Sequence, residues 1–476
     1  MLVVISDMHF EEERSDYIEG EGVTVGFSRN TPGQEYYALG SALASEARRN
    51  GAQKMDLVLA GDLFDLHRTT LWFEGENSHA RPYVPDAEVD AGTEAKILEI
   101  ISAIVAEPDV EESFAALRLL VSGRYREYAG SEGEERDFPI PVEVHYIPGN
   151  HDRLTNATPA IRRRVRGLLG LGEGDEPFPY SIFFDNPRVL VRHGHEYDPY
   201  NHSVDHTFTD RFPVHLPDEE YENPSLGDFV TTEVAVKFPT VLRRLYGDEE
   251  ILKSRPLSTI YRRLLEFDDL RPQSALLNFL LSIPEEDVPE GEVWSVLSRV
   301  AREILDEIHD SPFLRDELRK MNKKGPHPMD AVEAYLNLKA WRPGIPLTAA
   351  RLYTRYAVSE ETSGGPTVMA ARESVVLDGS VRFVIAGHTH HPQVALLASG
   401  RYGGSYYVDT GTWRNRIPST PRYDGFGRLR TTTYAIVYRS DENAEDGPGP
   451  GGLKTESFSY WSGFSQTWSG EEQESL

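Results

Sequence analysis

The chain has 476 residues, no cysteine, a hydrophobic content of 39% and a formal net charge of −28. The lack of cysteine excludes disulfides, thiolate metal sites and cysteine nucleophiles. The hydrophobic content is enough for a buried core in one domain with large insertions or in two or three domains. The negative charge counts against an extended nucleic-acid partner, because such partners are bound largely through lysine and arginine.

The first predicted element is a strand at residues 2–6. No basic residues precede this apolar run, and it stops after five residues, so it is not typical of a signal peptide. No apolar run in the chain approaches the roughly 20 residues that a membrane helix needs. We therefore expect a cytoplasmic protein without a membrane span.

Strands and helices alternate through the first 202 residues. A helix at 34–50 and a strand at 56–60 follow the first strand, and this strand–helix–strand order favours a parallel sheet. Further predicted elements are two helices within 91–122 separated near Pro108, a strand at 142–147, a helix at 159–170, and strands at 182–184 and 188–191.

Helical periodicity then dominates residues 203–355, where no strand is predicted. The predicted helices are 231–246, 257–267, 273–282, 291–309 and 329–341. Strands return at 381–386, 394–398, 404–409 and 431–438. We predict four regions: a first core part at 1–202, a helical insertion or cap at 203–355, a second core part at 356–440, and a flexible linker with a tail containing Trp461 and Trp468 at 441–476.

Histidine and aspartate residues follow five of the predicted strands. The segments are Asp-Met-His at 7–9, Gly-Asp at 61–62, Gly-Asn-His-Asp at 149–152, His-Gly-His at 193–195 and Gly-His-Thr-His at 387–390. Each segment alone is compatible with an ordinary polar turn. Five of them in one chain, each after a strand, favour a shared metal site.

Carboxylate, amide and imidazole groups suit borderline divalent ions. We assign one ion to Asp7, His9, Asp62 and His390, and the other to Asp62, Asn150, His193 and His388, with Asp62 shared. Two adjacent ions can generate a hydroxide nucleophile and hold a phosphoryl group during displacement. We expect manganese, with iron, zinc or nickel as alternatives.

Two neighbouring residues are the predicted catalytic groups. His151 is placed to donate a proton to a leaving group. Asp152 would either orient this histidine or accept a hydrogen bond from another ligand.

The order of the five segments resembles the calcineurin-like metallophosphoesterase superfamily. The resemblance implies an α/β fold built as a four-layer α/β/β/α sandwich around two sheets, a two-metal site, and His151 assisting the leaving group. His193, which directly ends its strand, takes the role of the fourth motif in preference to His195. The string Gly-Asp-Leu-Phe-Asp at 61–65 is similar to repair nucleases and to UDP-2,3-diacylglucosamine hydrolases. The helical insertion departs from the latter.

The predicted function is hydrolysis of a small phosphorylated substrate, such as a nucleotide, sugar nucleotide or phospholipid precursor, by attack of metal-bound hydroxide. A cap between the fourth and fifth motifs would restrict access to the metals. Alternatively, the insertion packs away from the site and stabilises an interface, and homo-oligomers could form through it or through the tail.

Two other functions remain open. A nuclease is suggested by the basic run Arg162, Arg163, Arg164 and Arg166, although these side chains point in several directions on a helix. A scaffold protein could use the helical insertion for association.

Overall fold

The computed structural model describes residues 1–20, 22–26, 28–127, 133–198, 200–202, 211–271, 275–283, 288–322, 365–400, 403–422, 424–442 and 456–466. Within them the chain adopts a mixed α/β fold with sixteen strands. The strands are β1 (Leu2–Ile5), β2 (Ile18–Gly20), β3 (Val23–Val25), β4 (Met55–Ala60), β5 (Arg124–Arg126), β6 (Glu135–Asp137), β7 (Val142–Ile147), β8 (Ser181–Phe184), β9 (Val189–Arg192), β10 (Leu270–Arg271), β11 (Phe383–Ala386), β12 (Gln393–Gly400), β13 (Gly403–Asp409), β14 (Asn415–Pro418), β15 (Leu429–Tyr438) and β16 (Ser457–Gln466).

The same residues contain fourteen α-helices. They are α1 (Gly33–Arg49), α2 (Ala91–Val105), α3 (Pro108–Val121), α4 (Pro159–Leu169), α5 (Asp218–Glu222), α6 (Leu226–Val230), α7 (Lys237–Tyr246), α8 (Asp248–Lys253), α9 (Arg255–Leu265), α10 (Leu276–Leu280), α11 (Glu290–Ile308), α12 (Pro312–Asn322), α13 (Pro366–Ala370) and α14 (Ser374–Leu377). None of these helices combines the length and the apolar character that a membrane crossing requires.

Two sheets form the centre of the fold. The first has the order β10-β14-β15-β1-β4-β7, with β16 also paired to β15. Within it β1, β4 and β7 run parallel, as the strand–helix–strand pattern predicted. The second sheet has the order β12-β13-β11-β9-β8, and its central strands β13, β11 and β9 are parallel. Their carboxyl ends therefore meet at one edge of each sheet.

Alternate residues of the central strands face different apolar clusters, as expected for buried strands. In β1, Leu2 and Val4 belong to a cluster shared with β9, β11 and β13 of the other sheet. Val3 and Ile5 belong to a cluster with helices α1 to α4. A third cluster joins β9, β11 and β13 to α5, α13 and α14. Apolar side chains thus pack between the two sheets and on the outer face of each.

Local sequence explains where the helices near the site begin and end. The α4 helix begins after Thr158, whose hydroxyl accepts a hydrogen bond from the backbone N–H of Ile161, and has Pro159 at its first position. It ends at Gly170, which has the left-handed conformation common after helices. This helix follows the Gly-Asn-His-Asp segment, which lies between β7 and α4.

The described residues between 211 and 322 contain helices at four of the five predicted positions and most members of a further apolar cluster. The prediction that this region has no strand is wrong, because β10 pairs in parallel with β14 and joins the first sheet. The predicted helix at 329–341, most of the predicted linker at 441–452, and Trp468 lie outside the described residues. Trp461 lies in β16, which pairs along the full length of β15.

Candidate metal centre

The structure brings all seven predicted ligand residues to one place. Each follows the carboxyl end of a strand in one of the two sheets: Asp7 and His9 after β1, Asp62 after β4, Asn150 after β7, His193 after β9, and His388 and His390 after β11. Hydrogen bonds between backbone groups hold these loops together. The N–H of His9 donates to the carbonyl of Asp62 at 2.8 Å, and the N–H of Gly387 donates to the carbonyl of His193 at 2.7 Å.

The backbone of these loops is strained at the predicted ligands. Among the described residues, the only non-glycine residues with a positive φ are Asp7 at 53°, His9 at 46°, Asp62 at 50°, His388 at 73° and His390 at 56°. Such left-handed conformations cost energy for residues with a side chain and concentrate at functional sites. All five are predicted metal ligands, so the strained backbone conformations occur at residues that the sequence assigns to the metal site.

Asp7, His9 and His390 form the first group of donor atoms. Nε2 of His9 lies 3.0 Å from Nε2 of His390 and 3.7 Å from Oδ1 of Asp7. Nε2 of His390 lies 3.4 Å from the same Asp7 oxygen. These three side chains are buried, and one ligand atom of each lies close enough to the other two to share a metal ion.

Asp62, Asn150, His193 and His388 form the second group. Nε2 of His193 lies 3.1 Å from Oδ2 of Asp62 and 3.2 Å from Oδ1 of Asn150. Nδ1 of His388 lies 3.1 Å from the same amide oxygen. Oδ2 of Asp62 also lies 3.4 Å from Nε2 of His9 in the first group, so one carboxylate oxygen faces both groups.

These donor sets fit divalent cations. Metal bonds of about 2.0–2.2 Å place neighbouring ligand atoms of one ion roughly 3.0–3.6 Å apart, and the distances above run from 3.0 to 3.7 Å. Although burial opposes protonation, the Asp62 carboxylate raises the pKa of His193 to about 10. The site therefore favours positive charge, as a cation site must.

Further hydrogen bonds orient the imidazole rings. Nδ1 of His193 donates to the carbonyl of Ala60 at 2.9 Å, which leaves Nε2 free to bind a metal. Nε2 of His388 lies 3.0 Å from Oδ2 of Asp198, so its metal-binding atom would be Nδ1. Asp198 was not assigned a role from the sequence, although it ends the His-Gly-His-Glu-Tyr-Asp string at 193–198.

Glycine is required beside these ligands. A Cβ on Gly149 would overlap the Asp62 carboxylate, and a Cβ on Gly61 would overlap the His193 ring. A Cβ on Gly387 would overlap the Asp7 carboxylate. The glycines that precede Asp62, Asn150 and His388 therefore permit close approach of neighbouring loops.

His151 lies beside both donor groups but is held by another residue. Its Nδ1 lies 3.0 Å from Oδ1 of Asp65, and its backbone N–H donates to Oδ1 of Asp62 at 2.8 Å. Burial opposes protonation, yet the carboxylates of Asp65 and Asp62 raise the pKa of His151 to about 9. These carboxylates therefore favour the protonated form of the His151 ring.

Asp65 is one of the residues at the site that the sequence analysis did not predict. It ends the Gly-Asp-Leu-Phe-Asp string, and besides His151 its carboxylate contacts Nδ1 of His9 at 3.3 Å. Asp152, which had been proposed as an alternative partner of His151, instead accepts hydrogen bonds from the backbone N–H of Leu63 at 2.7 Å and from the hydroxyl of Tyr146 at 2.6 Å. It also accepts from the N–H groups of Asp62 and Gly149. Asp152 thus accepts a hydrogen bond from the backbone of the predicted ligand Asp62, which corresponds to the second role considered for it.

Replacing Asp152 by alanine should destabilise the fold. The change would leave several buried N–H and O–H donors without an acceptor, which corresponds to a loss of at least about 3 kcal/mol in the free energy of unfolding. Urea denaturation followed by tryptophan fluorescence measures this loss. Asp185→Ala, at an exposed position, is the control. Equal stability of the two variants would contradict the role given to Asp152.

Two other features of the motifs contribute no atom to the two donor groups. His195 is buried and belongs to neither group, which agrees with the choice of His193. In the basic run of α4, Arg163 pairs with Asp175 at 2.8 Å, and Arg162 and Arg166 donate to the carbonyls of Asp175 and Glu176. These arginines thus contact the loop that follows their own helix.

The helical region 211–322 reaches the metal centre. Nη2 of Arg271, in β10, donates to Nδ1 of His390 at 2.7 Å. Two adjacent acidic residues tie this strand to the core: Asp268 pairs with Arg68 at 2.5 Å, and Asp269 pairs with Arg414 at 2.7 Å. Arg271 has no counterpart in the sequence motifs, so its position could be found only from the structure.

A model of the calcineurin-like phosphoesterase family matches residues 1–253, which is just over half of the chain. The matched part contains four of the five motifs, and the structure adds His388 and His390 to the same site. Comparisons with curated proteins and with solved structures give no match. The chain therefore belongs to the calcineurin-like phosphoesterase family, a family of metal-dependent phosphoric ester hydrolases.

Proposed function

We propose that the protein is a dinuclear metallohydrolase that acts on a small phosphorylated substrate, such as a nucleotide, a sugar nucleotide or a phospholipid precursor. The observation that carries this proposal is Oδ2 of Asp62, which faces His9 of one donor group and His193 of the other. A carboxylate shared in this way is suited to two adjacent ions. Asp7, His9, Asp62 and His390 would hold one, and Asp62, Asn150, His193 and His388 the other.

The metal ions would neutralise the phosphoryl oxygens and activate water for in-line displacement. The protein itself supplies the proton for the departing oxygen. His151 carries that proton, and Asp65 holds the opposite ring nitrogen so that Nε2 is the atom that donates it. The remaining loops orient the ligands and keep their carboxylates buried.

The layered sandwich implied by the resemblance is part of this proposal. Its support is the set of apolar clusters between the two sheets and on their outer faces. The cap role of the helical region is supported by the contact between Arg271 and His390. A segment that places a side chain against a ligand narrows the access to the site, which favours small substrates over long polymers.

Hydrolysis of p-nitrophenyl phosphate and bis(p-nitrophenyl) phosphate tests the proposal. We expect activity with added manganese, loss after metal removal by a chelator, and recovery when manganese is restored. Parallel recovery with iron, zinc and nickel would rank the metals. Cleavage of the diester would define a phosphodiesterase, and cleavage of the monoester alone would define a phosphatase.

Two outcomes would redirect the interpretation. Activity on single-stranded or double-stranded DNA that greatly exceeds activity on both small esters would favour a nuclease. A metal-loaded protein that hydrolyses none of these compounds would favour a scaffold role for the helical region.

A further inference from the structure

Two arginines stand side by side at the rim of the metal centre. Arg271 lies in β10 and Arg416 in the neighbouring strand β14. Nη2 of Arg271 donates to Nδ1 of His390 at 2.7 Å, and Nη2 of Arg416 donates to Nδ1 of His391 at 2.6 Å. Since His390 and His391 are adjacent in the chain, the two guanidinium groups flank one short segment of the fifth motif.

Neither guanidinium group forms a direct ion pair within the described part of the chain. The acidic residues closest in sequence to Arg271 are already paired, Asp268 with Arg68 and Asp269 with Arg414. Among the described residues, Arg271 and Arg416 have no carboxylate partner within 4.0 Å, and the nearby carboxylates act on them only over longer distances. An arginine stays charged at all physiological pH values. Two cations without a direct ion pair therefore lie near each other in a chain whose net charge is −28.

The hydrogen bonds of the two arginines leave a donor for a ligand. In Arg271, Nη1 donates to the backbone carbonyls of Asp268 at 2.6 Å and Leu270 at 2.8 Å. In Arg416, Nε is buried and has no hydrogen-bond partner among the described residues. An anionic oxygen beside the two side chains would accept a hydrogen bond from this Nε.

We propose that Arg271 and Arg416 form an anion-binding subsite that holds a second phosphate group of the substrate, next to the one that is hydrolysed. The planar guanidinium group suits phosphate oxygens, because it presents parallel N–H donors together with charge. The inference rests on the proposed function for the reacting phosphate. It narrows the substrate class to compounds with two adjacent phosphate groups, such as a phosphoanhydride.

Binding of two non-hydrolysable phosphonates tests the subsite without relying on turnover. The full chain loaded with manganese is titrated calorimetrically with methylenediphosphonate, which carries two phosphonate groups, and with methylphosphonate, which carries one. We expect the first to bind about tenfold tighter or more, because each charge-assisted hydrogen bond contributes about that much. Arg271→Gln and Arg416→Gln should each remove most of this preference.

Arg422→Gln is the matched control, since Arg422 is exposed in the turn after β14. Melting temperatures identify any variant that fails to fold. If Arg271→Gln does not fold, Arg271→Lys replaces it. Because lysine keeps the charge, this variant should retain part of the preference for methylenediphosphonate. Equal binding of the two phosphonates by the wild type would overturn the proposal, as would equal losses in Arg271→Gln and Arg422→Gln. The protein could also prefer methylenediphosphonate through both arginines and yet hydrolyse no phosphoester. That result would support the subsite and refute the proposed function.

Discussion

Replacing Asp62 by alanine should reduce hydrolysis at least about 10³-fold and remove most of the bound metal. Oδ2 of Asp62 faces His9 at 3.4 Å and His193 at 3.1 Å, so its loss takes a ligand from both donor groups. The two ions would then lack the carboxylate that compensates part of their positive charge. Metal content after dialysis, measured by inductively coupled plasma mass spectrometry, and turnover of a p-nitrophenyl ester check both effects.

Asp56→Ala is the matched control for this experiment. Asp56 is buried in the same strand, β4, but its carboxylate pairs with Lys54 and His145 near the opposite end of the strand. We expect the Asp56 variant to keep its metal even if it is less stable. A full metal complement in Asp62→Ala, or the same loss in both variants, would refute the shared role of Asp62.

Replacing His151 by alanine should lower turnover by about 10²–10⁴-fold while leaving the metal content nearly intact. The side chain lies beside the donor groups but is bound by Asp65 at 3.0 Å and is not one of the predicted ligands. If it donates the proton to the departing oxygen, the loss will be larger for esters of alkyl alcohols than for esters of p-nitrophenol, which leaves readily without a proton.

Turnover numbers for a series of leaving groups, together with metal analysis, test this role. His145→Ala is the control, because His145 lies in the preceding strand β7 and pairs with Asp56 away from the metal centre. Metal loss in His151→Ala equal to that in Asp62→Ala would show that His151 is a ligand. A loss that does not vary with the leaving group would show that it does not supply the proton.

The sequence predicted the central strands and the residues that follow them. Parallel strands buried on both faces appear as short β-branched runs such as Leu2–Ile5, and their carboxyl ends meet by geometry. Ligands separated by almost four hundred residues could therefore be grouped before their distances were known. The positive φ angles at Asp7 and Asp62 could not be predicted, because they depend on how neighbouring loops pack.

Elements that exist only through tertiary pairing escaped prediction. The β10 strand has two residues, and β14 has four, so neither carries a periodic pattern of its own. The β16 strand did carry a signal, since Phe458 and Tyr460 alternate with serine and contact the cluster between the sheets. The preceding glycine and proline residues led to the interpretation of this segment as a tail.

The hydrogen-bond partners of the site residues were harder to predict from the sequence than the metal ligands. Asp65 lies three residues after Asp62, and that spacing could have suggested a second carboxylate at the site. The neighbouring sequence does not show whether such a carboxylate orients His151 or binds a metal. Arg271 lies outside every motif, and only the pairing of β10 with β14 brings it to His390. Residues that act through such contacts have no fixed spacing in the sequence.

The position of β1 has a consequence for synthesis of the protein. This first strand lies in the middle of its sheet, between β4 and β15, and β15 ends at Tyr438. A ribosome that has made residues 1–253 has released five of the seven ligand side chains but not β15 or the Gly-His-Thr-His segment. One edge of β1 therefore has no partner strand until about two hundred more residues, including β15, have been made. Pairing between strands so far apart in the sequence is slow. The complete set of predicted ligands is thus available for metal only after the Gly-His-Thr-His segment at 387–390 has been made.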